Sequence, residues 1–235
     1  MLLICATLGG MGKRQDARDR IERQIVELGR RHLVTEGAAG LSLRAIARDL
    51  GMVSSAVYRY VASRDELLTL LLVDAYSELA DAVDDARATT ASWRDQVSAM
   101  AHAARGWAVE HPAGWALLYG SPVPGYRAPA ERTVGPGTRV VGALFDAVDA
   151  GIAAGEISKT EVAVRKPLSS DFDGVRTEFG FGGDDSAVAK CFLLWAGLVG
   201  AIGLEVFGQY GPDTLTDPAA AFDLQVRLLI EMLTK

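Results

Sequence analysis

The side chains able to do chemistry are concentrated between Leu41 and Leu68, in the run LSLRAIARDLGMVSSAVYRYVASRDELL. Ser42 stands where it can cap a helix whose apolar face is Leu43, Ile46, Ala47 and Leu50, and Gly51 breaks that run. A second, very short helix is expected from Ser54 to about Tyr60. Two short helices around a glycine-containing turn are the signature of a helix-turn-helix. Such a pair can lay its second helix in the major groove of double-stranded DNA. Elsewhere the chain shows no serine–histidine–acid set, no carboxylate pair and no metal-ligand spacing. The chemistry on offer is therefore recognition rather than catalysis, and neither a metal nor a cofactor is expected.

The charge distribution supports that reading. The chain has 235 residues and a net charge of −6, which argues against DNA binding if spread evenly. It is not spread evenly: Lys13 to Arg64 holds 11 Lys/Arg against 6 Asp/Glu, and the remainder carries −11. A basic head on an acidic body confines phosphate attraction to one end. The length suits one or two domains with a sizeable core. Cys5 and Cys191 are the only cysteines, and a reduced, cytoplasmic setting is the simplest reading. Leu2 to Leu8 is apolar but lacks the flanks of a signal peptide. Residues 1–12 read as a disordered tail or a misassigned start, with Met11 as the alternative first residue. Cys191 to Leu204 is apolar over 14 residues between Lys190 and Glu205, short of the ~20 a membrane span needs. No membrane association is expected.

The elements that must position the window are helical almost throughout. A first helix is expected from about Asp16 to Thr35, stopped by Gly37 and Gly40. Ser63-Arg64-Asp65-Glu66 is a capping box that opens a long helix fading between Asp84 and Thr90. Trp93, Val97, Met100, Ala104 and Trp107 mark the next. Pro112 opens a short helix reaching Tyr119. Residues 120–136, rich in proline, read as an irregular packed loop. Val140 to Ile152 is helical and Gly155 stops it. Residues 158–183 read as a mobile loop, and Asp184–Phe207 and Asp217–Leu233 as the last two helices. The fold class is all-α, with a helix-turn-helix domain at 13–66 and a helical body at 67–235.

Residues from about Ile21 to Leu72 resemble the DNA-binding domain of the tetracycline-repressor (TetR) family. The resemblance rests on Thr35-Glu36-Gly37, Leu43-Arg44-Ala45-Ile46-Ala47, Gly51, Tyr58-Arg59-Tyr60 and Ser63-Arg64-Asp65-Glu66-Leu67-Leu68. It implies roles. Ser54, Ser55 and Ala56 would approach base edges, and Tyr58 and Tyr60 phosphates or thymine methyl groups, with Arg59 beside them. Arg44 would reach a base or a phosphate, Ser42 a phosphate, and Arg64 would stand where the family often has a phosphate-binding lysine. Two departures stand out. Val53 replaces the usual capping serine, so Ser54 or Ser55 must cap the recognition helix. Val61 replaces the usual phenylalanine beneath it.

Between Trp93 and Gly155 the body resembles the WHG-type ligand-binding domain of that family, through Trp107, His111-Pro112, Trp115, Tyr119-Gly120-Ser121-Pro122 and Tyr126-Arg127-Ala128-Pro129. The family binds a small molecule here and dimerises. Trp107, Trp115, Tyr119, Phe145, Phe192 and Trp195 would then line an apolar cavity for an apolar or aromatic effector. His111 would orient a polar ligand or cap the helix starting at Pro112. Arg105 and Arg139 could pair with one ligand carboxylate if they face inward. Ala189, Ala196, Gly200, Gly203 and Phe207 would form a homodimer interface on the Asp184–Phe207 helix. The function so implied is a ligand-responsive repressor, released from a pseudo-palindromic operator by its effector. Two other readings compete. One is an enzyme or carrier whose helix-turn-helix is only structural. The other is a regulator that answers to a partner protein.

Overall fold

The computed structural model describes residues 8–158 and 163–235, with side chains from residue 15 onward. Among the described residues there are ten helices and no strand. The head is built by α1 (Leu8–Gly40), α2 (Leu43–Asp49), α3 (Ser54–Val57) and the start of α4 (Arg64–Arg87). The body adds α5 (Trp93–Glu110), α6 (Pro112–Tyr119), α7 (Ala130–Ala153), α8 (Leu168–Phe179), α9 (Asp185–Val206) and α10 (Pro218–Thr234).

Local chemistry sets most of these ends. Ser42, Ser63, Ser92, Asp184 and Asp217 each accept a backbone N–H with the side chain, which satisfies one of the orphan donors of a first turn. Gly37 breaks α1 at φ 66°. Gly51, at φ 65°, makes the turn between α2 and α3. An L side chain would be strained at either place.

Two apolar cores form. One packs Ile25, Leu28, Leu33, Ile46, Val57, Val61, Leu67, Leu68 and Leu71 within the head. The other gathers Leu79, Val83, Val97, Met100, Trp115, Phe145, Leu194 and Phe222 in the body. Helix α4 serves both: its first turns bury Leu67, Leu68 and Leu71 in the head, and its later turns bury Ala75, Leu79 and Val83 in the body.

Three readings of the sequence need correction. Residues 158–183 are not one loop, because Leu168–Phe179 forms α8, which buries Phe172 and ends at Gly180 in the left-handed region. Its charged, glycine-containing composition hid an apolar stripe. The loop before α7 ends earlier than expected, since the helix starts at Ala130 and contains Pro136; a proline there costs the helix one intrahelical hydrogen bond, yet the face carrying Val140, Leu144 and Val148 is buried. The first helix runs back beyond Asp16 to Leu8, so part of the tail expected at 1–12 is helical. The rest of that tail lies outside the described residues.

Candidate nucleic-acid interface and effector site

The head presents its polar residues on the outer side of α2 and α3. Arg44 and Ser55 are exposed, as are Arg59 and Tyr58, while Ser42, Ser54, Ala56 and Tyr60 are half-buried. Val57 and Val61 are fully buried beneath them and anchor the recognition segment to the core. The smaller Val61 is thus packed where a larger ring was expected. The recognition helix is a single turn, continued by bonds from Tyr58 N–H to Ser54 O (3.1 Å) and Tyr60 N–H to Val57 O (2.9 Å). Neither Ser54 nor Ser55 caps it. Val53 occupies the N-cap position without a side-chain bond, because both serines already lie inside the first turn.

Arg64 does not stand free. Its guanidinium donates to the carbonyl oxygens of Ala38 and Ala39 at 2.8 and 3.2 Å, closing the C-terminal end of α1. Two residues missed from the sequence belong to the same surface. Arg48 is exposed one turn after Arg44 on α2, a four-residue spacing that was legible. Val53 is 71% exposed at the mouth of the recognition turn. Arg18 lies over the Tyr60 ring at 5.8 Å.

Polar ties join head to body. Arg132 at the start of α7 donates to both carboxylate oxygens of Glu66 at 2.8 Å. Thr69 and Tyr126 share a hydroxyl hydrogen bond of 2.9 Å. Arg30 on α1 is held by Asp74 and by Glu78, the latter at 2.6 Å, on α4.

The rings expected to line one cavity divide into separate groups. Tyr119 meets Trp115 at 4.4 Å and Trp195 at 5.7 Å between ring centres. Burial, with Tyr76 beside it, pushes the Tyr119 phenol above its usual range, so it stays a neutral donor. Phe145 belongs elsewhere: it stacks on Phe179 at 4.9 Å, edge-on to Phe181 and Phe192, and is wholly core. The unforeseen α8 supplies the covering ring. Phe192 is 45% exposed. His111 does not cap α6: its Nδ1 lies 2.9 Å from the Trp107 carbonyl and its ring stacks on that indole. Arg105 donates twice to Glu205, and Arg139 is held by Asp81 and Asp84; neither is free for a ligand carboxylate. The indole N–H groups of Trp107 and Trp115 are buried without an acceptor among the described residues.

Two cavities flank α6. One of 990 Å³ lies between the end of α1, α6 and the loop after it, with Leu33, Ala113, Leu117, Tyr119, Pro122 and Phe207 in its walls. The other, of 310 Å³, lies between α1, α4 and the α5–α6 junction and takes in Trp107 and His111.

Helices α9 and α10 also expose an apolar face, which reaches the larger cavity at Phe207. Leu193 and Leu228 are each 55% exposed, and Leu204, Phe207 and Leu224 accompany them. Ala189, Ala196 and Gly200 are exposed beside these, whereas Gly203 is half-buried. Among the described residues no heavy atom lies within 4 Å of the position of a Cβ added at Gly200. Helix α9 is long and apolar enough to cross a membrane by length and composition. Its opposite face, however, buries Lys190, Cys191, Leu194, Leu198 and Ile202 in the body. The Lys190 ammonium donates to the carbonyls of Ser158 and Leu233 at 2.9 and 3.0 Å.

Comparison with known proteins agrees with the geometry. Residues 97–229, more than half of the chain, match the family model described as the tetracyclin repressor-like C-terminal domain. The HTH-type transcriptional regulators Rv1816 of Mycobacterium tuberculosis and Mb1846 of Mycobacterium bovis are each 69% identical over 227 residues, covering 96% of this chain and 97% of the relative. The crystal structure of the regulatory protein SCO4313 superposes with a TM-score of 0.75 at 31% identity, covering 92% of this chain and 98% of that one.

Proposed function

The chain belongs to the TetR family of helix-turn-helix transcriptional regulators, and on that footing we propose that it is a homodimeric repressor whose body couples a small apolar effector to release of DNA. The observation that carries the DNA-reading role is the exposed row of Arg44, Ser55, Tyr58 and Arg59 over the buried anchors Val57 and Val61. Residues 13–66 act as the reading head and 67–235 as the effector and dimer body. The apolar face of α9 and α10 supports the dimer, since an exposed patch of this kind marks an interaction surface. To read a pseudo-palindrome, a homodimer paired through that face would have to hold its two recognition segments about 34–36 Å apart, in successive major grooves.

The larger cavity is the effector site in this reading. Its walls are mostly apolar, and it touches the α1 turn whose carbonyls Arg64 holds. Its lining residues include Glu36 and no arginine or lysine, and Arg105 and Arg139 are committed to carboxylates elsewhere, which favours an uncharged effector over an anionic one. Regulation, not catalysis, is the proposed activity.

A gel-shift series with the DNA upstream of the protein's own gene tests the reading. The intact protein should bind it, with a log–log salt slope near −0.9 per neutralised phosphate. Arg44→Ala should weaken binding by about 1–3 kcal/mol per half-site if the guanidinium reads a guanine. Unchanged affinity in that variant and in Tyr60→Ala would remove the assignment of this face.

A further inference from the structure

The smaller cavity has a chemistry the effector reading leaves unused. Its walls include the buried side chains of Leu33, Leu71, Ala75 and Trp107. Its charged rim is lopsided: among the lining residues Asp74, Glu78 and Glu110 face one permanent cation, Arg30, with the His111 imidazole beside them. Arg30 is shared between Asp74 and Glu78, so the rim keeps a surplus of negative charge. Burial works against the charge of the Asp74 carboxylate and, despite Arg30, holds its pKa above the usual range. A carboxylate pair that one arginine only partly satisfies has a place for a second positive group. An anion would be repelled by that surplus, and a cation would be favoured over a neutral molecule by the modest margin of a partly exposed pair, Asp74 and Glu78 being 31% and 38% exposed.

We propose that this cavity is a second ligand site that takes a small organic cation with an aromatic or aliphatic body. The body of the ligand packs against Leu71, Ala75 and Trp107, and its positive end pairs with Glu78, Asp74 and Glu110. At 310 Å³ the space suits a fragment-sized molecule. The position gives the site a consequence. The cation competes with Arg30 for the two carboxylates that tie α1 to α4, so its binding loosens the head from the body. The site is distinct from the larger cavity, sharing with it only Leu33 and Ala113 among their lining residues.

Calorimetry on the full-length protein with benzyltrimethylammonium, benzyl alcohol and phenylacetate tests this directly, without DNA. The cation should bind, the alcohol more weakly, and phenylacetate least. Glu78→Gln and Glu110→Gln should each weaken the cation by about two- to fivefold, the range of a partly exposed ion pair. Arg30→Gln should tighten it by removing the competing guanidinium, and Leu117→Trp, which fills the larger cavity, should leave it unchanged. That last variant separates this proposal from the effector reading, since it should abolish only the response to an apolar effector. Equal or better binding of the neutral analogue, or no change in both glutamate variants while circular dichroism stays native, would overturn the proposal. So would loss of cation binding in Leu117→Trp.

Discussion

Arg64 separates two physical pictures of the head, and its replacement can be worked through in numbers. If the side chain held a DNA phosphate, Arg64→Ala would cost affinity and little stability. The structure points the guanidinium at the Ala38 and Ala39 carbonyls instead, at 2.8 and 3.2 Å, with the side chain 33% exposed. A hydrogen bond from a charged donor is worth roughly 1.5–3 kcal/mol when well buried. One bond here is long and the side chain is partly solvated, so about 1.5 kcal/mol for the pair is a fair figure. At this chain length that lowers Tm by about 3–6 °C. Both bonds leave one nitrogen, Nη2, so Arg64→Lys, whose ammonium carries three donors, should recover much of the loss. Differential scanning calorimetry at one protein concentration reads the stability, since a dimer's Tm depends on concentration. The salt slope of operator binding, taken on the same variants, reads phosphate contact and should be unchanged. A slope reduced by about 0.9 per head with an unaltered Tm would refute the capping role and restore the phosphate contact.

Two further outcomes follow from other parts of the molecule. Leu193→Asp combined with Leu228→Asp places charge on the exposed apolar face of α9 and α10 without touching either core; sedimentation should show monomer with native helicity, and an undisturbed dimer would move the interface elsewhere. Burial pushes the Cys191 thiol up to about 12, so below that pH it stays protonated and poorly nucleophilic. At pH 8 it should resist iodoacetamide in the folded protein and react after denaturation, as peptide mass spectrometry would read.

Much of this protein could be read from the chain alone, because local rules decided it. Ser42, Ser63 and Asp217 cap their helices with bonds that span three residues, and Gly51 and Gly155 turn where only glycine is comfortable. The apolar spacing of α4 and α5 made their buried faces plain, and the family followed from linked motifs of the head. What the chain alone could not disclose depends on partners distant in sequence. Ser54 and Ser55 looked like caps by type, but the backbone begins its turn one residue early, at Val53. Arg64 looked free until the fold brought α1's last carbonyls to it from 25 and 26 residues away. Seven aromatic and imidazole side chains, from Trp107 to Trp195, shared one plausible role by composition. Only packing parted them: Phe145 went to the rings of α8, Tyr119 to Trp115 and Trp195, and Trp107 to the acidic cavity beneath α1. Hydrophobicity drives a ring inward without choosing its neighbours, and that choice is made by the shape of the helices around it.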